Sequence, residues 1–148
     1  MNYKIYDMSN NLQLYRTDID YIFTYVLGQY PNAYKWFLEK VIPELPTRRK
    51  ILGCFIKGKI VAITILKIDD LDEKICTFYV RTQYRRQGIG TSLLKECLKY
   101  VKHPYMIVKS NGYFLFKRLL GKFGFEIISS SRQACKFKLN ESNHSNES

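Results

Sequence analysis

The chain is short of acidic residues: 13 Asp and Glu stand against 24 Lys and Arg over 148 residues, a formal charge of +11 at pH 7. Such a field attracts anions, whether nucleic acid, a membrane surface or a phosphate-bearing ligand, and charge alone does not choose among them. No apolar run approaches the roughly 20 residues that cross a bilayer. The opening Met1-Asn2-Tyr3-Lys4 has none of the apolar stretch of a signal peptide, so a soluble, cytoplasmic protein with no membrane partner is expected. Cysteine is sparse and scattered, at Cys54, Cys76, Cys97 and Cys135, with no C-x-x-C pair and two histidines in all. That excludes the usual zinc spacings; no metal is expected, and the thiols are read as buried and reduced. There is no internal repeat.

What is present fills one core. A 46% hydrophobic content over this length supports a single domain. Its extent is read as residues 1–139, followed by a polar tail over 140–148 with no large apolar residue to order it. Tyr3 to Tyr6 predicts a short strand, with Leu12 to Tyr15 as a competitor. Thr17 or Asp18 is expected to cap a helix carrying Ile19, Ile22, Phe23, Val26 and Leu27 on one face and ending at Gly28. Pro31-Asn32 opens a second helix with Tyr34, Phe37, Leu38 and Val41 on one face, stopped by Pro43 and Pro46.

A strand from Ile51 to Lys57, a Gly58-Lys59 turn, a β-branched strand from Ile60 to Leu66, the acidic turn Asp69 to Glu73 and a strand from Ile75 to Val80 predict a three-stranded meander. The stripe Ile89, Leu93, Leu94, Cys97, Leu98 and Val101 predicts a helix reaching Lys102 before His103-Pro104. A strand over 105–108, a helix over 113–120 and a closing strand pair over 126–128 and 135–139 complete the order. This is an α/β (α+β) mixture around one sheet.

The segment that carries chemistry is Arg85-Arg86-Gln87-Gly88-Ile89-Gly90, between a buried strand and a helix. First-turn amides of a helix have no internal partner and lie at the positive end of its dipole, so an anion is stabilised there. Gly88 and Gly90 remove the Cβ atoms that would hold a pyrophosphate away. A dinucleotide fingerprint would need glycine at position 93, where Leu93 stands, and the Walker lysine is missing.

Val80 through Gly90 resembles motif A of the GCN5-related N-acetyltransferases (GNAT): Arg85, Gly88 and Gly90 meet the pattern [Q/R]-x-x-G-x-[G/A], and Lys122-Phe123-Gly124-Phe125 resembles the family's later Gly-Phe. The resemblance spans roughly residues 1–139. It implies a mixed, mostly antiparallel twisted sheet of about six to seven strands with about four helices. It also implies acetyl-CoA as co-substrate, its pantetheine laid between two splayed strands. Backbone near Tyr79, Val80 and Arg81 would hold the pantetheine, with Arg85, Arg86, Gln87, Gly88, Ile89, Gly90 and Thr91 at the pyrophosphate and Asn111 beside the arm. A backbone amide near Val80 would polarise the acetyl carbonyl.

Catalytic groups are harder to place. The strand carboxylate that serves as base in many family members has no counterpart, since no Asp or Glu occurs between Lys74 and Arg85; Glu73 is nearest. Four residues before Gly124, where the family often has its acid tyrosine, stands Leu120, and Tyr113, two turns earlier on that face, is the substitute. The resemblance thus implies an acetyl-CoA-dependent N-acetyltransferase acting on an amine: a small molecule, a peptide or an aminoacyl group. A catalytically silent coenzyme-binding module and an enzyme of charged tRNA are the alternatives. Aromatic residues of the first two helices, Tyr21, Tyr25, Tyr30, Tyr34 and Trp36, come from the region where the family builds its acceptor pocket, and a homodimer is compatible with the family.

Overall fold

A computed structural model describes residues 2–26 and 32–140, without the side chains of Tyr25 and Val26. The expectations for those two side chains, for Leu27, Gly28, Tyr30 and Pro31, and for the tail beyond Asn140 lie outside the described residues. The sheet has seven strands: β1 (Lys4–Asp7), β2 (Arg49–Ile56), β3 (Lys59–Lys67), β4 (Lys74–Val80), β5 (Tyr105–Lys109), β6 (Phe125–Ser130) and β7 (Ala134–Leu139). Their order is β1-β2-β3-β4-β5-β7-β6, antiparallel throughout except between β4 and β5. Tyr3 to Tyr6 was the correct choice for the first strand, which pairs with β2, while Leu12–Tyr15 is a 3-10 turn.

The sheet is covered on both faces, which is why β2 and β3 are apolar at successive positions. On one face Leu52, Val61, Leu66 and Ile75 pack under α4 (Ile89–Cys97) and α5 (Tyr113–Lys122), through Leu93, Leu94 and Leu120. On the other, Ile51, Phe55, Ile63 and Ile65 meet Ile19, Ile22 and Phe23 of the first helix and Phe37 and Val41 of the second. Burial pushes the thiols of Cys54 and Cys97 to about 11 and about 12, in keeping with inert core cysteines.

Local details differ from the sequence reading. The first helix, α1 (Arg16–Tyr21), continues as a π stretch over Ile22–Val26 and is capped at Tyr15, so Thr17 and Asp18 lie in its first turn. The second runs as α2 (Ala33–Trp36), a π stretch over Phe37–Val41 and α3 (Ile42–Glu44). Pro43 does not stop it, because it opens the last short helical segment, where a missing N–H is cheap; Leu45, extended before Pro46, ends it. The π stretch leaves Leu38 facing solvent rather than sharing the buried face of Phe37 and Val41. The hairpin turn sits one residue earlier than expected, at Lys57-Gly58, both with positive φ as a type I′ turn requires. Helix α4 stops at Cys97, short of Lys102, and the Glu73 carboxylate takes the amides of Lys102 and His103 in the connector that follows.

Candidate active site

Strands β4 and β5 are joined at a single register pair, Lys74↔Tyr105, backed by the Tyr105 N–H donating to the Glu73 carbonyl at 3.1 Å. Beyond that bridge β5 is committed to β7, from Tyr105↔Lys138 to Lys109↔Ala134, and β4 to β3. No further register pair joins β4 to β5, so the two strands part, and the β4 edge toward β5 has no strand partner among the described residues. Unpaired main-chain groups on such an edge are a template for another extended chain. A cleft of about 1580 Å3 fills the gap, lined by Cys76 to Val80 on one side and Tyr105 to Lys109 on the other.

At the wide end of the gap the chain turns through Thr82–Tyr84 and enters α4. Arg86 has φ +63° and Gly88 φ +84°. A left-handed Arg costs on the order of 1–2 kcal/mol, a strain that points to a shaped loop rather than a plain turn. Gly88 is the N-cap residue, and the first amides of α4 have no side-chain cap among the described residues. A Cβ at Gly88 would meet nothing within 4 Å, and one at Gly90 would meet Leu119 Cδ2 at 3.6 Å and Val80 Cγ2 at 3.9 Å, ordinary contacts. Packing does not require glycine at position 90. Arg118 and Lys122 of α5 line the cleft together with Arg85 and Arg86.

Of the residues singled out in sequence, Tyr79, Val80, Arg85, Arg86, Gly88, Gly90, Thr91 and Asn111 line this cleft. The Arg85 side chain is partly engaged: its Nε donates to the Val80 carbonyl at 2.8 Å and its guanidinium lies over Tyr79. The Arg81 amide donates to the Val61 carbonyl of β3, so it is turned away from the β5 side. Gln87 reaches back to the Gln83 carbonyl, and Ile89 is buried in the core.

Tyr113 and Glu73 lie elsewhere. Tyr113 lines a smaller recess with Ser110, Ile127, Ser130 and Cys135, its ring against Phe114 and Phe137. Glu73 accepts from the Lys102 amide at 3.1 Å and the His103 amide at 2.8 Å. Neither is among the residues that line the cleft. Leu120 is buried in the core under α5. Of the aromatics proposed for an acceptor pocket, Trp36 lines the cleft with Phe23; Tyr34 instead bonds Asp20, and Tyr21 sits under Arg81.

The narrow end holds what the sequence reading missed: Arg49, Lys67, Lys74 and Cys76. Burial pushes the Cys76 thiol up, with the charges of Arg49 and Lys74 acting against it. None of the described residues lining the cleft is Asp or Glu. No cluster of three potential metal ligands occurs among the described residues, and no described helix is long and apolar enough to cross a membrane.

Over residues 13–125 the sequence matches the acetyltransferase (GNAT) family, and the chain belongs to it. Among solved structures, the PaiA N-acetyltransferase of Thermoplasma acidophilum, determined in complex with coenzyme A, superposes with a TM-score of 0.68 at 18% identity, covering 93% of this chain and 98% of that one. Ard1 of Thermoplasma volcanium gives 0.71 at 17% identity, over 93% and 97%. The ribosomal-protein-S18-alanine N-acetyltransferase of Escherichia coli gives 0.65 at 17%, over 93% of each chain. At these identities the likeness is one of fold. No curated protein matches the chain by sequence.

Proposed function

We propose that the chain is an acetyl-CoA-dependent N-acetyltransferase that works by direct attack of an acceptor amine. The observation that carries this is the parting of β4 and β5 after one bridge, beside a strained, glycine-lined turn whose helix amides have no side-chain cap among the described residues. Backbone amides from Gly88 to Thr91 would take the pyrophosphate, with Arg86, Arg118 and Lys122 adding charge around it. The free edge of β4 near Phe78 to Val80 would take the pantetheine as a pseudo-strand, and Asn111 would stand beside it. With its phosphates at the wide end, the thioester then points toward the narrow end, at Cys76, Lys74 and Tyr105.

The reaction forms a C–N bond from the amine nitrogen to the thioester carbonyl carbon and breaks the C–S bond; the proton shed by the amine balances the departing thiolate. The amine must arrive neutral. With no carboxylate among the described residues that line the cleft, the positive charges of Arg49, Lys67 and Lys74 would do part of that work, because neighbouring cations lower an amine's pKa.

Thermal shift with acetyl-CoA and with CoA tests the coenzyme site. At a ligand concentration one hundred times Kd, linkage gives about 2.7 kcal/mol of stabilisation, and roughly 2–4 °C per kcal/mol for a chain of this size makes that easy to see. A flat melting curve on adding either ligand would discard the proposal. Thiol release across an amine panel tests transfer; coenzyme binding with no turnover of any amine would favour a silent binding module instead.

A further inference from the structure

We propose that the narrow end of the cleft is an anion-selecting acceptor pocket, in which Arg49 and Lys74 hold the carboxylate of an amino-acid-like amine. This deepens the acetyltransferase reading, and rests on it for the statement that the acceptor enters at this end.

Three basic residues and a tyrosine form one register line across four strands: Arg49↔Lys67, Lys67↔Lys74 and Lys74↔Tyr105. All four line the cleft, at the point where β4 and β5 begin to part. Nothing in the packing of a sheet calls for this. Cross-strand neighbours of like charge are destabilising; Glu44 offsets Arg49 and Asp72 offsets Lys67, while Lys74 has no direct ion pair among the described residues.

Arg49 stands at the β2 end of the row. Its side chain is 9% exposed. The guanidinium has five N–H donors and is poorly supplied with acceptors. Nε donates to Glu44 Oε1 at 3.3 Å, Nη1 meets the Cys76 sulfur at 3.2 Å, and the flat face lies 5.7 Å from the centre of Trp36. A thiol is a weak acceptor, and Glu44 is shared with Arg48 at 3.7 Å. Nη2 has no hydrogen-bond partner among the described residues. A buried cation is stable only when its donors are satisfied, and a planar fork beside an open cleft fits the two oxygens of a carboxylate.

The neighbours agree in charge. Lys67 is paired with Asp72, whereas Lys74 makes no direct ion pair among the described residues, acts on Asp72 only from farther off, and lies over the ring of Tyr105. Asp72 and Glu44, the ion-pair partners of Lys67 and Arg49, are not part of the cleft lining. Phe23, Trp36 and Tyr79 supply an apolar wall. An acceptor with a carboxylate beside its amine and an apolar body satisfies this set. A polyamine or aminoglycoside would bring further positive charge against a lining that holds Arg49, Lys67 and Lys74 and, among the described residues, no carboxylate.

The test uses the whole chain with saturating CoA and matched product analogues: N-acetylphenylalanine against N-acetylphenethylamine, and N-acetylleucine against N-acetylisoamylamine. Binding is read by calorimetry and by the fluorescence of Trp36, the single tryptophan of the chain. The acid of each pair should bind roughly tenfold to a hundredfold more tightly, the worth of a charge-assisted bond. Arg49→Gln should remove that preference while keeping the melting shift given by CoA, and Lys74→Gln should reduce it. Equal binding within the pairs by wild type, or no binding of any acid, overturns the proposal, whatever the variants do. Tighter binding of N-acetylphosphoethanolamine than of every carboxylate also overturns it. The two readings separate cleanly: a protein that prefers the acids yet ignores CoA keeps the anion pocket and loses the acetyltransferase; one that binds CoA without the preference does the reverse.

Discussion

The wide and narrow ends of the cleft are built in different ways. The wide end is made by consecutive residues, Arg81 to Gly90, whose own dihedrals shape the loop: a left-handed Arg86, a left-handed Gly88 and amides without a side-chain cap opening α4. The narrow end is made by side chains that β2, β3, β4, β5 and the second helix each contribute singly: Arg49, Lys67, Lys74, Tyr105 and Trp36. A main-chain site is damaged by whatever intrudes on it and is indifferent to most side chains. A side-chain site is damaged by the loss of any one of its members.

The sharpest way to break the comparison is Gly90→Asp. The new Cβ meets only methyl groups at ordinary distance, so the fold should survive, but a negative charge now stands in the first turn of α4, where the pyrophosphate would bind. CoA affinity should fall by about a hundredfold, roughly 3 kcal/mol, in calorimetry, with the unliganded melting temperature nearly unchanged. Retained affinity in a folded variant would mean that the amides of this turn do not hold the pyrophosphate.

Glu73→Gln and Tyr113→Phe test the residues that lie outside the cleft. Glu73 accepts two connector amides, so the Gln variant should lose about 1 kcal/mol of stability with kcat and KM unchanged. Tyr113→Phe should change kcat by less than about twofold, in line with its place in the other recess. A large loss of kcat at unchanged folding, in either variant, would return that residue to the catalytic list.

A smaller effect sharpens the contrast within the wide end. Arg86→Gly removes a charge but relieves the positive φ, whereas Arg86→Ala removes the charge and keeps the strain. If backbone does the binding, the Gly variant should keep CoA affinity within about threefold of wild type and melt at or above the Ala variant. Affinity falling equally and steeply in both would show that charge, not loop shape, dominates there.

The least effect should come from Asp7, remote from both ends. Partial burial raises its pKa, but hydrogen bonds from Ser9 and the Lys50 ammonium outweigh that and leave it below the ordinary value. A carboxyl lower in the folded than in the unfolded state adds stability above the unfolded pKa. That contribution is lost as the pH falls below about 4, through the folded value. Asp7→Asn should therefore lower the melting temperature slightly at pH 7 and converge with wild type in acid.

How much was legible in sequence follows from the same contrast. The meander from β2 to β4 and the glycine turn could be read from alternation, turn residues and motif spacing, because each is encoded by neighbours in the chain; the mixed sheet of about six to seven strands came only with the family resemblance. Helix details were not: Pro43 inside α3 and the early stop at Cys97 depend on a π stretch and on Glu73 reaching the connector. Tyr113 and Glu73 were nominated by counting along the chain, and counting does not tell which side of α5 or which end of a turn faces the gap.

The sequence by itself therefore determined the family, the sheet and the loop that shapes the wide end, since main-chain amides at a strand-to-helix turn need only the right residues in a row. Only the tertiary structure decided where β4 and β5 part, and that Arg49, Lys67, Lys74 and Tyr105 stand in one line there. No local signal marks those residues in a chain with 24 basic side chains, because strand register, not spacing along the chain, brings them together.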